Sequence, residues 1–296
     1  MALLTLDHHG RYPYVPICDR PDFTWPGGKR LAVCICNNIE VFSFLSGLGS
    51  DSASLTAGQT TRNYAWRDYG NRVGIWYLFD LLDEMGMPAS HNFNSLLFDT
   101  CPQIAARILA RGDEFVGHGR TNGERQDALP EDEERRLIAE ATDAITHHAG
   151  RAPEGWLGPY LAQSAVTLDL LREAGYGYVL DWPADDQPFW MRTRAGPILS
   201  VPYSIEVNDS PVMVFRQEGS ADFERMMIDQ FDEMLLQSAK YPLVYSVVLH
   251  PFVIGQPYRL RALRRALAHI AAVREEVWIT TPGAVARHYA GLFPPS

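Results

Sequence analysis

Three strand-like apolar runs in this chain each end at a side chain that can do acid–base work. Leu31–Ile35 (LAVCI) leads through Asn37 and Asn38 to Glu40. Phe115-Val116 leads to His118, which sits between Gly117 and Gly119. Val244–Leu249 (VYSVVL) leads to His250 and Pro251. A carboxylate and two imidazoles in one place can take a proton from water and give one to a leaving group. Each also has a structural reading: a turn cap for Glu40, a loop hydrogen bond for the histidines. Arg120 and Asn122 follow His118 on the same loop, and Asp181 ends another strand-like run at Tyr178–Asp181. No G-x-S-x-G elbow precedes a helix and no cysteine carries a histidine signature. Activated water is therefore the better nucleophile, and hydrolysis the natural reaction class.

Chemistry at strand ends needs a scaffold that gathers strand ends. Parallel barrels do this at the C-terminal face of their strands. The rest of the chain alternates strand and helix signals throughout, which predicts a parallel α/β barrel or open sheet in one domain. Helical faces are expected over 64–86, with Gly86 as stop, and over Cys101–Arg111, Glu131–Ala149, Ala221–Lys240, Arg259–Arg274 and Pro282–Leu292. Thr167–Gly175 reads as a helix with Thr167 as N-cap. Strands are expected at 88–93, Asp113–Val116 and Val277–Thr280, and Ile198–Val201 and Met213–Phe215 bracket a loop that holds Glu206, Asn208 and Asp209. Residues 1–28, rich in proline and aromatics, read as an ordered extended arm before a barrel domain of 29–296. The polar Ser43–Thr61 stretch is long for a compact domain and reads as a lid or an oligomer contact.

The remaining composition closes off several classes. The net charge of −10 and the lack of a basic tract exclude nucleic acid as an expected partner. No apolar run approaches the ~20 residues that cross a bilayer, so no membrane role is expected. Cys34 and Cys36 lie two apart on one strand, where they face the same side as packing residues and lack the turn a zinc knuckle needs. With no signal-peptide pattern at the start, a cytoplasmic location is expected. No dinucleotide or phosphate-binding glycine loop is present.

The segments RYPYVPICDRPDFTWPGGKR, NYAWRDYGNRVGIW, VGHGRTNGERQ, GWLGPY and LHPFVIGQPYRLR together resemble the NodB-like polysaccharide deacetylase superfamily. Within it they are most similar to the cytoplasmic branch of cyclic imide hydrolases and allantoinase-like proteins. The resemblance implies a distorted (β/α) barrel of the NodB-like deacetylase type. It also implies a base and a metal ligand after the first strand, where this chain has Asn38 and Glu40. The family's second metal motif has two histidines four apart; here the pair is His118 and Asn122. The arginine before its Pro-Tyr step is missing, since this chain reads Leu157-Gly158-Pro159-Tyr160, and its terminal histidine is kept as His250.

These departures imply a hydrolase that opens a ring C–N bond in a small cyclic imide or amide, of succinimide, hydantoin or allantoin type. Glu40, His118 and His250 are then catalytic. The backbone N–H near Tyr160 and the His118 imidazole stabilise the oxyanion, and Arg67, Arg120, Asn122, Trp156, Tyr160 and Asp181 bind the substrate. No cofactor is required, or a divalent ion (zinc or manganese) is held loosely by Glu40, His118 and Asn122. The related hydrolases imply a homo-oligomer, a tetramer or dimer. Two alternatives remain: a metal-dependent deacetylase of an N-acetyl sugar or polysaccharide, and a non-catalytic binding module on the same barrel.

Overall fold

The computed structural model describes residues 8–46, 49–56 and 58–295. Its central strand, β1 (Leu31–Ile39), is buried along its whole length. Alternate residues of β1 feed two different cores. Leu31, Val33, Ile35 and Ile39 join the layer beneath the helices. Ala32, Cys34 and Cys36 face the interior of the curled sheet, among Tyr178, Val201, Val244 and Val248. A strand covered on both faces carries apolar residues at consecutive positions, which is why LAVCI shows no polar alternation.

The other strands are β2 (Gly49–Asp51), β3 (Ser54–Thr56), β4 (Ser90–Phe93), β5 (Glu114–Gly117), β6 (Gly155–Trp156), β7 (Tyr178–Val179), β8 (Phe189–Met191), β9 (Ile198–Ser200), β10 (Leu243–Leu249) and β11 (Trp278–Thr280). The main sheet runs β10-β1-β4-β5-β6-β7-β9-β8, with β11 also paired to β1. Its pairings are parallel except β8 with β9. β11 and β4 share one edge of β1, the first along Ala32–Cys34 and the second along Cys36–Ile39. The sheet curls until its far end nears β10, where Val244 N–H donates to Asp186 O and Asn208 bridges Val248. The result is a distorted (β/α) barrel, a curled and mainly parallel sheet, in a single domain. Helices Ile75–Met85, Pro102–Arg111, Glu131–Ala149, Ser220–Ser238 and Pro257–Ala272 supply the outer layer.

Several local expectations change. The helix expected over 64–86 is two, Thr61–Tyr69 and Ile75–Met85, joined by a π-helical turn at Gly70–Gly74. A Cβ on Gly74 would lie 2.1 Å from Pro251 O, so glycine lets this turn press against the short helix Pro251–Ile254 that follows His250. Met213–Phe215 is no strand; it lies in a π-helical turn, Pro211–Phe215. Thr167 is the first residue of its helix and not its cap, because its hydroxyl donates instead to buried Glu134. The Ser43–Thr61 stretch holds the β2–β3 hairpin, whose strands of three residues each are too short to show periodicity. Residues 47–48 and 57 of that stretch, and 1–7 of the arm, lie outside the described residues.

The arm finds its place on the barrel itself. Trp25 is buried and its indole N–H donates to Leu243 O. Tyr12 packs edge-on to Phe189, and Arg11 and Arg20 pair with Asp169 and Asp185. Tyr14 alone of its aromatic side chains stands out, at 87% exposed. No helix among the described residues is long and apolar enough to cross a membrane.

Candidate active site

The alternation that sorts β1 also aims the chemistry. Asn38 and Glu40 continue the interior row of Cys34 and Cys36 toward the strand's C-terminal end. His118 continues the row of Val116 beyond β5, and His250 that of Val244 and Val248 beyond β10. Gly119, with φ +67°, turns the chain sharply away after His118. Asn38, Glu40, His118 and His250 line one cavity of about 510 Å³ at this end of the barrel.

Glu40 Oε1 is 3.6 Å from His118 Nε2 and 3.7 Å from His250 Nε2. The two imidazoles are held by different partners. His118 Nδ1 lies 2.6 Å from Leu157 O. A carbonyl only accepts, so Nδ1 carries a proton, and the neutral form of the ring keeps its lone pair on Nε2. That buried Nε2 has no hydrogen-bond partner among the described residues. This revises the role expected of His118: in this tautomer it presents an acceptor, not an oxyanion donor. Glu40 and His118 together can therefore grip the hydrogens of a single water.

His250 is tied to fully buried Asp209, which accepts from the His250 backbone N–H at 2.8 Å and from Nδ1 at 2.7 Å. Burial pulls the imidazole pKa down, but the Asp209 carboxylate, with a contribution from Glu40, overrides it and the pKa is raised. His250 is thus held ready as an acid with its Nε2 toward the cavity. Asp209 is one of several loop acids in the sequence, and nothing local marks it; its sign is only its place beside Asn208, which bridges β10.

Asn38 has a different task. Its Nδ2 donates to Tyr203 OH at 2.9 Å and Leu249 O at 3.2 Å, and its Oδ1 accepts from Asn92 and Tyr203. An amide so occupied cannot serve as a base; it locks the inner end of the site. Asn94 was likewise not singled out from sequence: it accepts from Val41 N–H and donates to His118 O, bracing the Glu40 and His118 loops against each other.

The expected substrate residues divide. Arg67, Asn122, Tyr160 and Asp181 line the cavity. The Arg67 guanidinium lies 4.2 Å above the Phe42 ring and donates to Ser50 O; burial lowers its pKa, against the pull of Glu40. Tyr160 has φ +64° and its hydroxyl donates to Asn122 O at 2.5 Å, pinning the Pro159–Leu161 turn to the His118 loop. Burial pushes the Asp181 carboxyl up to about 7, against the Gly158 N–H that donates to it at 2.6 Å. Arg120 and Trp156 are not in the site. Arg120 turns outward to Glu124 and Glu140, which satisfy its charge. Trp156 faces the helices, packing on Tyr176 and donating to Gln126, because on β6 it is the neighbouring Leu157 that points inward.

Donors for a divalent ion are Glu40 and the His118 Nε2 lone pair. The Asn122 amide oxygen already accepts a 3.4 Å hydrogen bond from Asn94. Among the described residues no group of three His, Cys, Asp or Glu side chains is placed to hold a metal ion. The set fits an ion completed by water or substrate, and does not fit a zinc held by three protein ligands.

With this geometry in view, comparison with known proteins places the chain. Residues 66–179 match the family model "Polysaccharide deacetylase". A peptidoglycan deacetylase of Helicobacter pylori is 22% identical over 244 residues, 72% of this chain and 82% of that protein. The crystal structure of the allantoinase PuuE superposes with a TM-score of 0.85 and 27% identity, covering 96% of this chain and 99% of the other. A structure described as a "probable polysaccharide deacetylase" of Pseudomonas aeruginosa PAO1 gives 0.84 and 26%, covering 96% and 100%. These two structures, superposed over nearly the whole chain, give its fold as a distorted (β/α) barrel of the NodB-like deacetylase type.

Proposed function

We propose that this protein, a hydrolase built on a NodB-like polysaccharide deacetylase domain, opens a ring C–N bond in a small cyclic imide or cyclic amide of succinimide, hydantoin or allantoin type. The observation that carries the reading is Glu40 set between an imidazole fixed as acceptor, His118, and one poised as donor, His250. Glu40 takes a proton from water held against His118 Nε2, and the water oxygen adds to a ring carbonyl. The backbone N–H at Tyr160 steadies the developing oxyanion, a contribution of roughly 3 kcal/mol where donors are fixed in advance. His250 Nε2 then gives its proton to the departing ring nitrogen as the C–N bond breaks. An imide carbonyl shares its nitrogen lone pair with a second carbonyl, so it is more electrophilic than a sugar acetamide and needs less Lewis-acid help. A divalent ion, where one binds, would be held by Glu40 and His118 and completed by water or substrate, and would supply polarisation of the carbonyl. The likeness to an allantoinase over nearly the whole chain supports a ring substrate.

The deacetylase domain and the peptidoglycan deacetylase relative favour a second reading, removal of acetate from an N-acetyl sugar. One panel separates the two: hydantoin, dihydrouracil, succinimide, phthalimide, allantoin and an N-acetylglucosamine oligomer, each assayed with the purified protein and its His118→Ala variant. The expected result is turnover of one or more rings, reduced by two or more orders of magnitude on loss of His118. Release of acetate without turnover of any ring would overturn the proposal.

A further inference from the structure

The cavity is much larger than the ring that the chemistry requires. At about 510 Å³ it lies in the range that encloses drug-sized ligands. A bare five-membered imide displaces about as much space as four waters, at ~30 Å³ each. The surplus wall is apolar, and it begins at the general acid. Phe252 packs edge-on to the His250 ring at 5.6 Å, and Trp66 packs on Phe252 at 5.0 Å. From the stretch that carries Asp209, Ile205, Val214 and Phe215 line the same cavity. Ile205 and Phe215 are 44% and 52% exposed. Large apolar side chains left in water at the rim of a pocket mark a surface that a ligand covers. A bare ring leaves these residues wet; a ring with an apolar arm buries them.

We propose that the ring substrate carries a bulky apolar substituent, aryl or branched alkyl, that lies against Phe252, Trp66 and Phe215, with Phe215 a specificity-determining residue. The inference rests on the ring-opening reading above and narrows it. It is tested with matched pairs, hydantoin against 5-benzylhydantoin and succinimide against 2-phenylsuccinimide, by kcat/KM on the full-length protein. The substituted ring of each pair is expected to be favoured by about tenfold or more, the scale on which apolar pockets discriminate added groups. Phe215→Ala is expected to erase most of that ratio and Phe215→Leu to keep most of it. Bare rings turned over as well as or better than substituted ones would overturn this inference and leave the ring-opening reading standing. A ratio unchanged in Phe215→Ala would remove Phe215 from its role. No turnover of any ring would overturn both.

Discussion

Asp209→Asn removes one charge from the site while keeping the shape of the side chain. In the native protein the two carboxylate oxygens are both engaged, one with the His250 backbone N–H and one with Nδ1. An asparagine has one acceptor oxygen, so it keeps one of these bonds and sets N–H against N–H at the other. A hydrogen bond to a charged group contributes about 1.5–3 kcal/mol. At 1.36 kcal/mol per tenfold in rate, loss of that bond where His250 must be charged lowers turnover roughly 10- to 150-fold. The pH dependence has a definite sign. Burial depresses the His250 pKa and Asp209 is the largest influence raising it. Without that charge the imidazolium is lost at lower pH, so the alkaline limb of kcat/KM moves toward acid. Initial rates on a ring substrate between about pH 5 and 9 measure both effects, with thermal melting as a check on folding. A folded Asp209→Asn protein within about twofold of the parent, with its alkaline limb unmoved, would refute the assignment of His250 as the acid.

Asp181→Asn tests the buried carboxyl. Its folded pKa, about 7, lies above the 3.8 of an unburied aspartate, so the stability it contributes is full below about pH 4 and is lost as pH rises through 7. The variant should gain on the parent by a few kcal/mol across that window in urea midpoints, and a difference that does not change with pH would show the carboxylate ionised in the fold. Dialysis against a strong chelator should leave activity intact, or restorable by zinc or manganese; a stoichiometric zinc that survives dialysis and is indispensable would show that Asn122 is a firm ligand. Light scattering should give a dimer or tetramer of the 33.3 kDa chain, with exposed Tyr14 and Val15 of the arm the first surface to test; a monomeric mass at micromolar concentration would end that proposal.

The positions of Glu40, His118 and His250 were legible in the sequence because each follows a long or well-bounded apolar run, and strand parity alone decides which face it joins. What misled was proximity. Arg120 lies two residues from His118, yet the turn at Gly119 sends it outward. Trp156 stands beside Leu157, and adjacent residues on a strand face opposite sides. The partner of His250 was out of reach for another reason: Asp209 lies 41 residues away in sequence and arrives through a bridge to β10 that no local pattern encodes. Strands of two or three residues, such as β6 to β9, owe their pairing to the curl of the sheet and hold too few residues to show a period.

Why a carboxylate at Glu40 suits ring opening follows from one repeat of the strand. Asn38 and Glu40 share a face, so they stand two residues, roughly 6.6 Å, apart along the chain's rise. At the inner position an amide is spent on Tyr203, Leu249 and Asn92. At the outer position the carboxylate lies almost equally far from both catalytic imidazoles. One carboxylate so placed can serve as the base or as a metal ligand; the other acid lining the cavity, Asp181, accepts instead from Gly158 N–H. A sugar acetamide needs both tasks done, since its carbonyl is a weak electrophile. An activated ring carbonyl needs the base and the acid, the roles we propose for Glu40 and the Asp209–His250 pair. The proposed acid, His250, packs against Phe252, so in the ring-opening reading the bond that breaks lies beside the wall proposed to hold an apolar arm on the ring.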